Sequence, residues 1–178
     1  MNKKNQSGRS MLIILAVLAL IAFVGNKGKI YLHKLQIYKE AFNVLTLAQK
    51  HACDYNSEEY ASYAQMLSEE GLVRLAYASG KLLGSDGLTY QFIENKREHF
   101  ILRISGLDWQ KCRDLGMEKW WNSEAGEYPL HGYPEISINK SKPFTLVTKS
   151  GADALCRESN DNTIRISSDG CVKRKKEK

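Results

Sequence analysis

The chain has 178 residues, 43% of them hydrophobic and 26% charged, which suits one packed domain with an appendage and excludes both two full domains and wholesale disorder. Three prolines and 13 glycines exclude a collagen-like or proline-rich linker protein. The formal charge of +6 sits at the ends, in Lys3 and Lys4 and in the tail from Lys173 to Lys178; residues 9–172 sum to zero, so there is no basic body of the kind that tracks nucleic acid.

Met11 to Val24 is an unbroken run of 14 apolar residues, shorter than the roughly 20 that span a bilayer core as helix. Three readings compete. A secretory signal peptide fits the positive start (Lys3, Lys4, Arg9) and the length of the run, but the only acceptable cleavage pattern, Val17-x-Ala19, falls inside it. A simple membrane anchor leaves orientation open, because Lys27, Lys29 and Lys34 balance the charges before the run. The third reading is a single long helix. Tyr31, Leu35, Tyr38, Phe42, Leu45, Ala48 and Ala52 step by three and four along one face, and no proline interrupts Met11 to Lys50. Gly25 and Gly28 bend such a helix without ending it.

Ser7-Gly8-Arg9-Ser10-Met11 followed by the apolar run resembles the N-terminus of type IV prepilins and pseudopilins. In that family a short basic leader ending in glycine is removed by a membrane peptidase. The resemblance implies a cut between Gly8 and Arg9, with Arg9 as the N-methylated mature terminus. It also implies that Met11, Leu12, Ile13, Ile14, Leu15, Val17, Leu18, Leu20, Ile21, Phe23 and Val24 are the membrane and assembly residues. One departure stands out. The family usually carries glutamate at the fifth mature position, which is Ile13 here. A carboxylate in a bilayer is costly unless paired, so that glutamate implies a partner and Ile13 removes both the cost and the pairing. Subunits of the family lacking it tend to be minor ones.

Asn56 and Glu59 have capping-box spacing and predict a short helix ending at Gly71. Leu88, Tyr90 and Phe92, then Phe100, Leu102 and Ile104, alternate with polar residues around Asn95-Lys96-Arg97-Glu98, which predicts an antiparallel hairpin with one buried face. Asp108 caps a further helix bearing Trp109, Cys112 and Leu115 before Gly116. Ile136 and Ile138 read as a strand, Phe144 to Thr148 as a strand or loop lining, Ala152 to Cys156 as a helical turn, and Thr163 to Ser168 as a final strand.

The segment from Phe100 through Gly106-Leu107 to Cys112 is similar to the strand–Gly-Leu–helix–Cys pattern of class B type IV pilins. Ala152 to Cys156 followed by Asn162-Thr163-Ile164 is similar to their C-terminal ending. The four cysteines, Cys53, Cys112, Cys156 and Cys171, have no C-x-x-C spacing and allow three pairings. The resemblance implies Cys112–Cys156. Cys53 and Cys171 are then left as a second pair or as free thiols.

His51 and Cys53, two apart on a helix, point to different faces, and His33, His99 and His131 lack ligand spacing. Asp153 and Glu158 flank Cys156 without a nucleophile and base, and Gly80, Gly84 and Gly87 precede no phosphate-loop lysine. The reading is therefore no enzyme, no metal and no cofactor. Trp120-Trp121 with Tyr128 and Tyr133 reads either as a recognition patch or as one core and one half-exposed tryptophan, beside a polar loop from Asn122 to Pro134. The basic tail is a solvated end, with contact to lipid, DNA or polysaccharide as the alternative.

The expected fold class is thus α+β and pilin-like: a long N-terminal helix, membrane half plus amphipathic half, packed on a mainly antiparallel sheet. The expected organisation is a leader at 1–8, a membrane and assembly half at 9–29, a periplasmic or extracellular head at 30–172 and a tail at 173–178. The expected role is a minor structural subunit of a type IV pilus or secretion pseudopilus. Its partners are other subunits, the prepilin peptidase and the inner membrane. The competing expectation is a signal-anchored periplasmic binding or adhesion module that does not polymerise.

Overall fold

Alternating apolar residues build the centre of the sheet. The computed structural model describes residues 33–118, Trp120 and 134–171. β3 (Thr89–Asn95) and β4 (His99–Leu107) form the hairpin predicted from the alternation, and its inward residues Tyr90, Phe92, Phe100, Leu102 and Ile104 are all buried. β6 (Asn162–Asp169) lies antiparallel on the other side of β4, and β5 (Glu135–Ile138) follows it. Two short strands, β1 (Ala76–Ala78) and β2 (Lys81–Leu83), extend the far side, giving the order β1-β2-β3-β4-β6-β5 with every neighbour antiparallel. At the β5 edge, Phe144 exchanges two backbone hydrogen bonds with Ile136 and covers part of the exposed ladder.

The expected fold class needs correction. Among the described residues there are four helices: α1 (33–50), α2 (Tyr63–Glu69), α3 (Trp109–Gly116) and α4 (Lys149–Leu155), beside a six-stranded antiparallel sheet. None is long and apolar enough to cross a membrane. The physical reason is visible in α1, where Lys34, Lys39, Glu40, Asn43 and Lys50 interrupt any apolar run. The long helix with a membrane half is therefore not a feature of the described structure. Met11 to Val24 lies outside the described residues. The chain divides into two units, Met1–Gln36 and Ile37–Lys178, and the account below concerns the second.

Within that unit α1 buries more than the predicted stripe. Tyr38, Phe42, Leu45 and Ala48 are buried, and so are Ile37, Ala41, Val44, Thr46 and Gln49. The two polar members are satisfied: Thr46 Oγ1 donates to the Asn43 carbonyl, and Gln49 Nε2 donates to the Asp169 carbonyl at 3.0 Å, tying α1 to the end of β6. Glu40 makes the other anchor. Its carboxylate accepts from the Ser85 amide at 2.9 Å, the Ser85 hydroxyl at 2.6 Å and the Tyr90 hydroxyl at 2.8 Å. A side chain at Gly84 would collide with both Glu40 and the Tyr90 ring, so the β2–β3 loop reaches α1 only through a residue without Cβ.

The second helix begins six residues later than the capping-box spacing suggests. Asn56 closes a turn by accepting from the Glu58 amide, and the N-cap is Ser62, which accepts from the Gln65 amide. This placement puts Tyr63 against Tyr55 (stacked, 4.1 Å), Phe92 (5.3 Å) and Phe100 (5.1 Å), an aromatic cluster between α2 and the β3–β4 hairpin.

Buried phenols give the fold a one-sided pH response. Desolvation, with the Glu118 charge, pushes the Tyr38 hydroxyl up to about 12. Desolvation, reinforced by Glu40, raises Tyr90 well beyond the ordinary tyrosine range, and desolvation raises Tyr63 likewise. Below pH 10 these groups are neutral in both folded and unfolded chains. Above it the unfolded chain ionises while the folded one does not, so stability must fall. Urea midpoints should hold steady on this account from pH 8 to 9.5 and decline from pH 10 upward. A midpoint that stays flat through pH 11 would contradict the burial of these hydroxyls.

Candidate functional site

The C-terminal third is held by side chains that the sequence quotes as a motif. β4 ends in a bulge between Ile104 and Leu107. Gly106 makes it, with φ +84° and a backbone so close to Gly87 that a Cβ would lie 2.5 Å from the Gly87 carbonyl oxygen. The bulge turns Leu107 into the core, and Asp108 starts α3 by accepting from the Lys111 amide at 2.8 Å. The Lys111 ammonium bridges Asp86 and Asp108. Burial pulls its pKa down, but the two carboxylates outweigh that and leave it raised.

Opposite the bulge, Asn162 is fully buried and makes five hydrogen bonds. Its Nδ2 shares its two hydrogens among the carbonyls of Leu107 (3.2 Å), Arg157 (2.9 Å) and Ser159 (2.9 Å). Its Oδ1 accepts from the Arg157 amide (2.7 Å) and from Asn139 Nδ2 (2.7 Å). Asn139, at the end of β5, also donates to the Leu155 carbonyl and accepts from the Thr163 amide. Two asparagines thus join β4, the α4–β6 loop, β5 and β6 at one point.

One disulfide lies beside that point and a second at the far end of β6. Cys112 on α3 is bonded to Cys156 just beyond α4, with Cα atoms 5.9 Å apart and a sequence separation of 44. Beside it Arg113 pairs with Asp153 at 3.4 Å and lies over the Trp109 ring at 4.9 Å. The second disulfide joins Cys53, after α1, to Cys171, beyond β6, across a separation of 118. The β3–β4 turn clasps it: Arg97 donates to the Cys53 carbonyl at 2.5 Å, and the amides of Gly170 and Cys171 donate to the Glu98 and Arg97 carbonyls. Loop-closure entropy assigns about 4 kcal/mol to the shorter loop and about 5 to the longer one taken alone.

Other sequence candidates separate. His51 meets Asp54 at 3.4 Å, and Cys53 is committed to its disulfide, so no thiolate–imidazole pair forms. His99 meets the Ser167 hydroxyl. Trp120 is core: it is fully buried, donates to the Leu115 carbonyl and packs edge-on against Tyr38 at 5.4 Å. Gly8 and Arg9, the assembly residues Met11 to Val24, Trp121, Tyr128, Tyr133, His131 and the basic tail lie outside the described residues. What sequence reasoning missed is the part played by Asn139 and by the Glu40–Tyr90 anchor. Their only signal was polar residues inside or beside otherwise buried elements.

Compared with known proteins, the chain matches no family model, no curated protein and no solved structure.

Two outcomes follow from this geometry. Asn162→Ala should cost about 2–4 kcal/mol of unfolding free energy by denaturant titration, because it removes a whole set of hydrogen bonds at once and leaves the buried Leu107 carbonyl without this partner. Asn162→Asp should fail comparably, since a carboxylate keeps the shape but cannot donate to the three carbonyls. A loss below about 0.5 kcal/mol in both would remove the hub. Second, a non-reducing digest of the oxidised chain should yield Cys112–Cys156 and Cys53–Cys171 peptides and no free thiol; a crossed pairing would contradict the architecture.

Proposed function

We propose that this chain is a minor structural subunit of a type IV pilus or of a type II secretion-like pseudopilus. A prepilin peptidase processes it between Gly8 and Arg9, the inner membrane holds it through its apolar N-terminal segment, and its disulfide-bonded domain faces the periplasm until assembly carries it outward. The observation that carries this reading is a convergence. Gly106, Leu107, Cys112, Cys156 and Asn162, all quoted from the pilin-like pattern, meet in one cluster in which each has a distinct physical task. Two disulfides support an oxidising compartment, where such bonds persist. A segment of 14 apolar residues that sits in lipid can leave it by burying the same surface against like segments, at about 25 cal/mol per Å².

Ile13 favours a second reading: a periplasmic binding or adhesion module retained by an uncleaved anchor, without polymerisation. Co-expression with a prepilin peptidase separates the two. The wild type should lose residues 1–8 by intact-mass measurement, whereas Gly8→Val should keep them. Unchanged mass in both proteins, or a mature chain beginning near Leu20, would overturn the proposal.

A further inference from the structure

The outer face of the sheet carries an arrangement that the assembly reading does not use. Arg103 and Arg165 stand directly opposite each other on β4 and β6, and Ser137 of β5 is the next residue in that row. Like charges at such positions repel. Among the described residues neither guanidinium has an ion-pair partner, and Arg165 Nε is buried with no hydrogen-bond acceptor. The Arg165 side chain is half-buried, with its Nε covered and the rest of the guanidinium open to the surface, and a carboxylate is the group whose geometry satisfies a guanidinium through two parallel bonds.

Arg165 lines a groove of about 320 Å³ beside β5. Its lining is not uniformly basic. Lys140 and Arg165 supply positive donors, whereas Glu135 and the Ser137 and Ser167 hydroxyls supply acceptors, and Ile101 and Pro143 give apolar surface. The Ser137 hydroxyl already spends its proton on the Ser141 carbonyl at 2.9 Å, so toward the groove it offers lone pairs. The groove is also rigidly placed. Asn139 and Lys140 both adopt positive φ (48° and 68°) in a turn closed by the Ser141 amide on the Ile138 carbonyl, and the Asn139 side chain fastens that turn to Asn162.

We propose that this groove binds a sugar bearing a carboxylate. Arg165 takes the carboxylate, with Lys140 at the rim, while Glu135, Ser137 and Ser167 accept from ring hydroxyls, and Ile101 and Pro143 meet the less polar ring face. Glu135 disfavours a phosphate-rich polymer or an acidic peptide, whose dense negative charge it repels, over a ring that brings one carboxylate and several hydroxyls. The volume accommodates about one ring. The proposal holds whether or not the chain polymerises.

The test is saturation-transfer NMR on the full oxidised chain in detergent micelles, with glucuronic acid and N-acetylneuraminic acid as probes and glucose, acetate and a hexaglutamate peptide as competitors. One of the acidic sugars should receive saturation, with glucose and acetate competing at least tenfold more weakly. Arg165→Gln should weaken the sugar tenfold or more without lowering the unfolding midpoint, since it also relieves the Arg103 contact. Glu135→Gln should weaken the sugar relative to acetate, because it removes a hydroxyl acceptor while relieving repulsion of any anion, and this ratio decides the matter if R165Q does not fold. Four results would overturn the proposal: glucose competing as well as the acids, acetate competing equally (an adventitious ion only), hexaglutamate displacing the sugar at lower concentration (a protein partner), or neither variant changing affinity.

Discussion

A fully buried carboxamide with five hydrogen-bond partners constrains everything around it. Asn162 reaches three carbonyls, that of Leu107 beyond the bulge of β4 and those of Arg157 and Ser159 in the loop before β6. Without it the Leu107 carbonyl at the bulge would be left buried and unsatisfied, at a cost of about 1–3 kcal/mol, and the loop into β6 would lose its ties to the strand. Because β6 lies between β4 and the edge strand β5, it must enter between two strands that precede it in the chain. The asparagine pair marks where it enters, and the Cys112–Cys156 bond limits how far the incoming segment can stray.

The opposite end of β6 is fixed by different means. Gln49 on α1 and the Arg97–Glu98 turn hold Asp169, Gly170 and Cys171, and the Cys53–Cys171 bond makes the attachment covalent. One strand is thus pinned at its start by buried amides and at its finish by a disulfide, with the core residues Ile164 and Ile166 between. Such a domain keeps its C-terminal region in register where thiols oxidise, and its outer face is left free for contacts.

The sequence revealed the parts governed by local rules. Alternation disclosed β3, β4 and β6, and Asp108 disclosed α3, because a buried face and an N-cap leave marks within a few residues. β1 and β2 went unassigned: Ala76–Ala78 and Lys81–Leu83 are three residues each and carry no period of two. Asn56 misled because asparagine serves turns as readily as caps, and here the turn wins. A continuous helix through Met11 was inferred from missing prolines and a long apolar run. Absence of a breaker does not determine length, and the described helices are all of the amphipathic, domain-packing kind. The cluster of motif residues could be quoted but not explained from sequence, since its bonds span separations of 23 and 55 residues. Arg165 was invisible for the same reason: its meaning depends on Arg103 facing it across a strand pair.

Hydrogen exchange of the Asn162 side chain addresses the central claim most directly. In the oxidised protein at neutral pH, its two carboxamide protons should exchange as slowly as the backbone amides of β4 and β6, because the group is released only when the sheet opens. Exchange as fast as that of the exposed Asn160 carboxamide would show that the buried amide is no anchor, and the account of how β6 is held would be wrong.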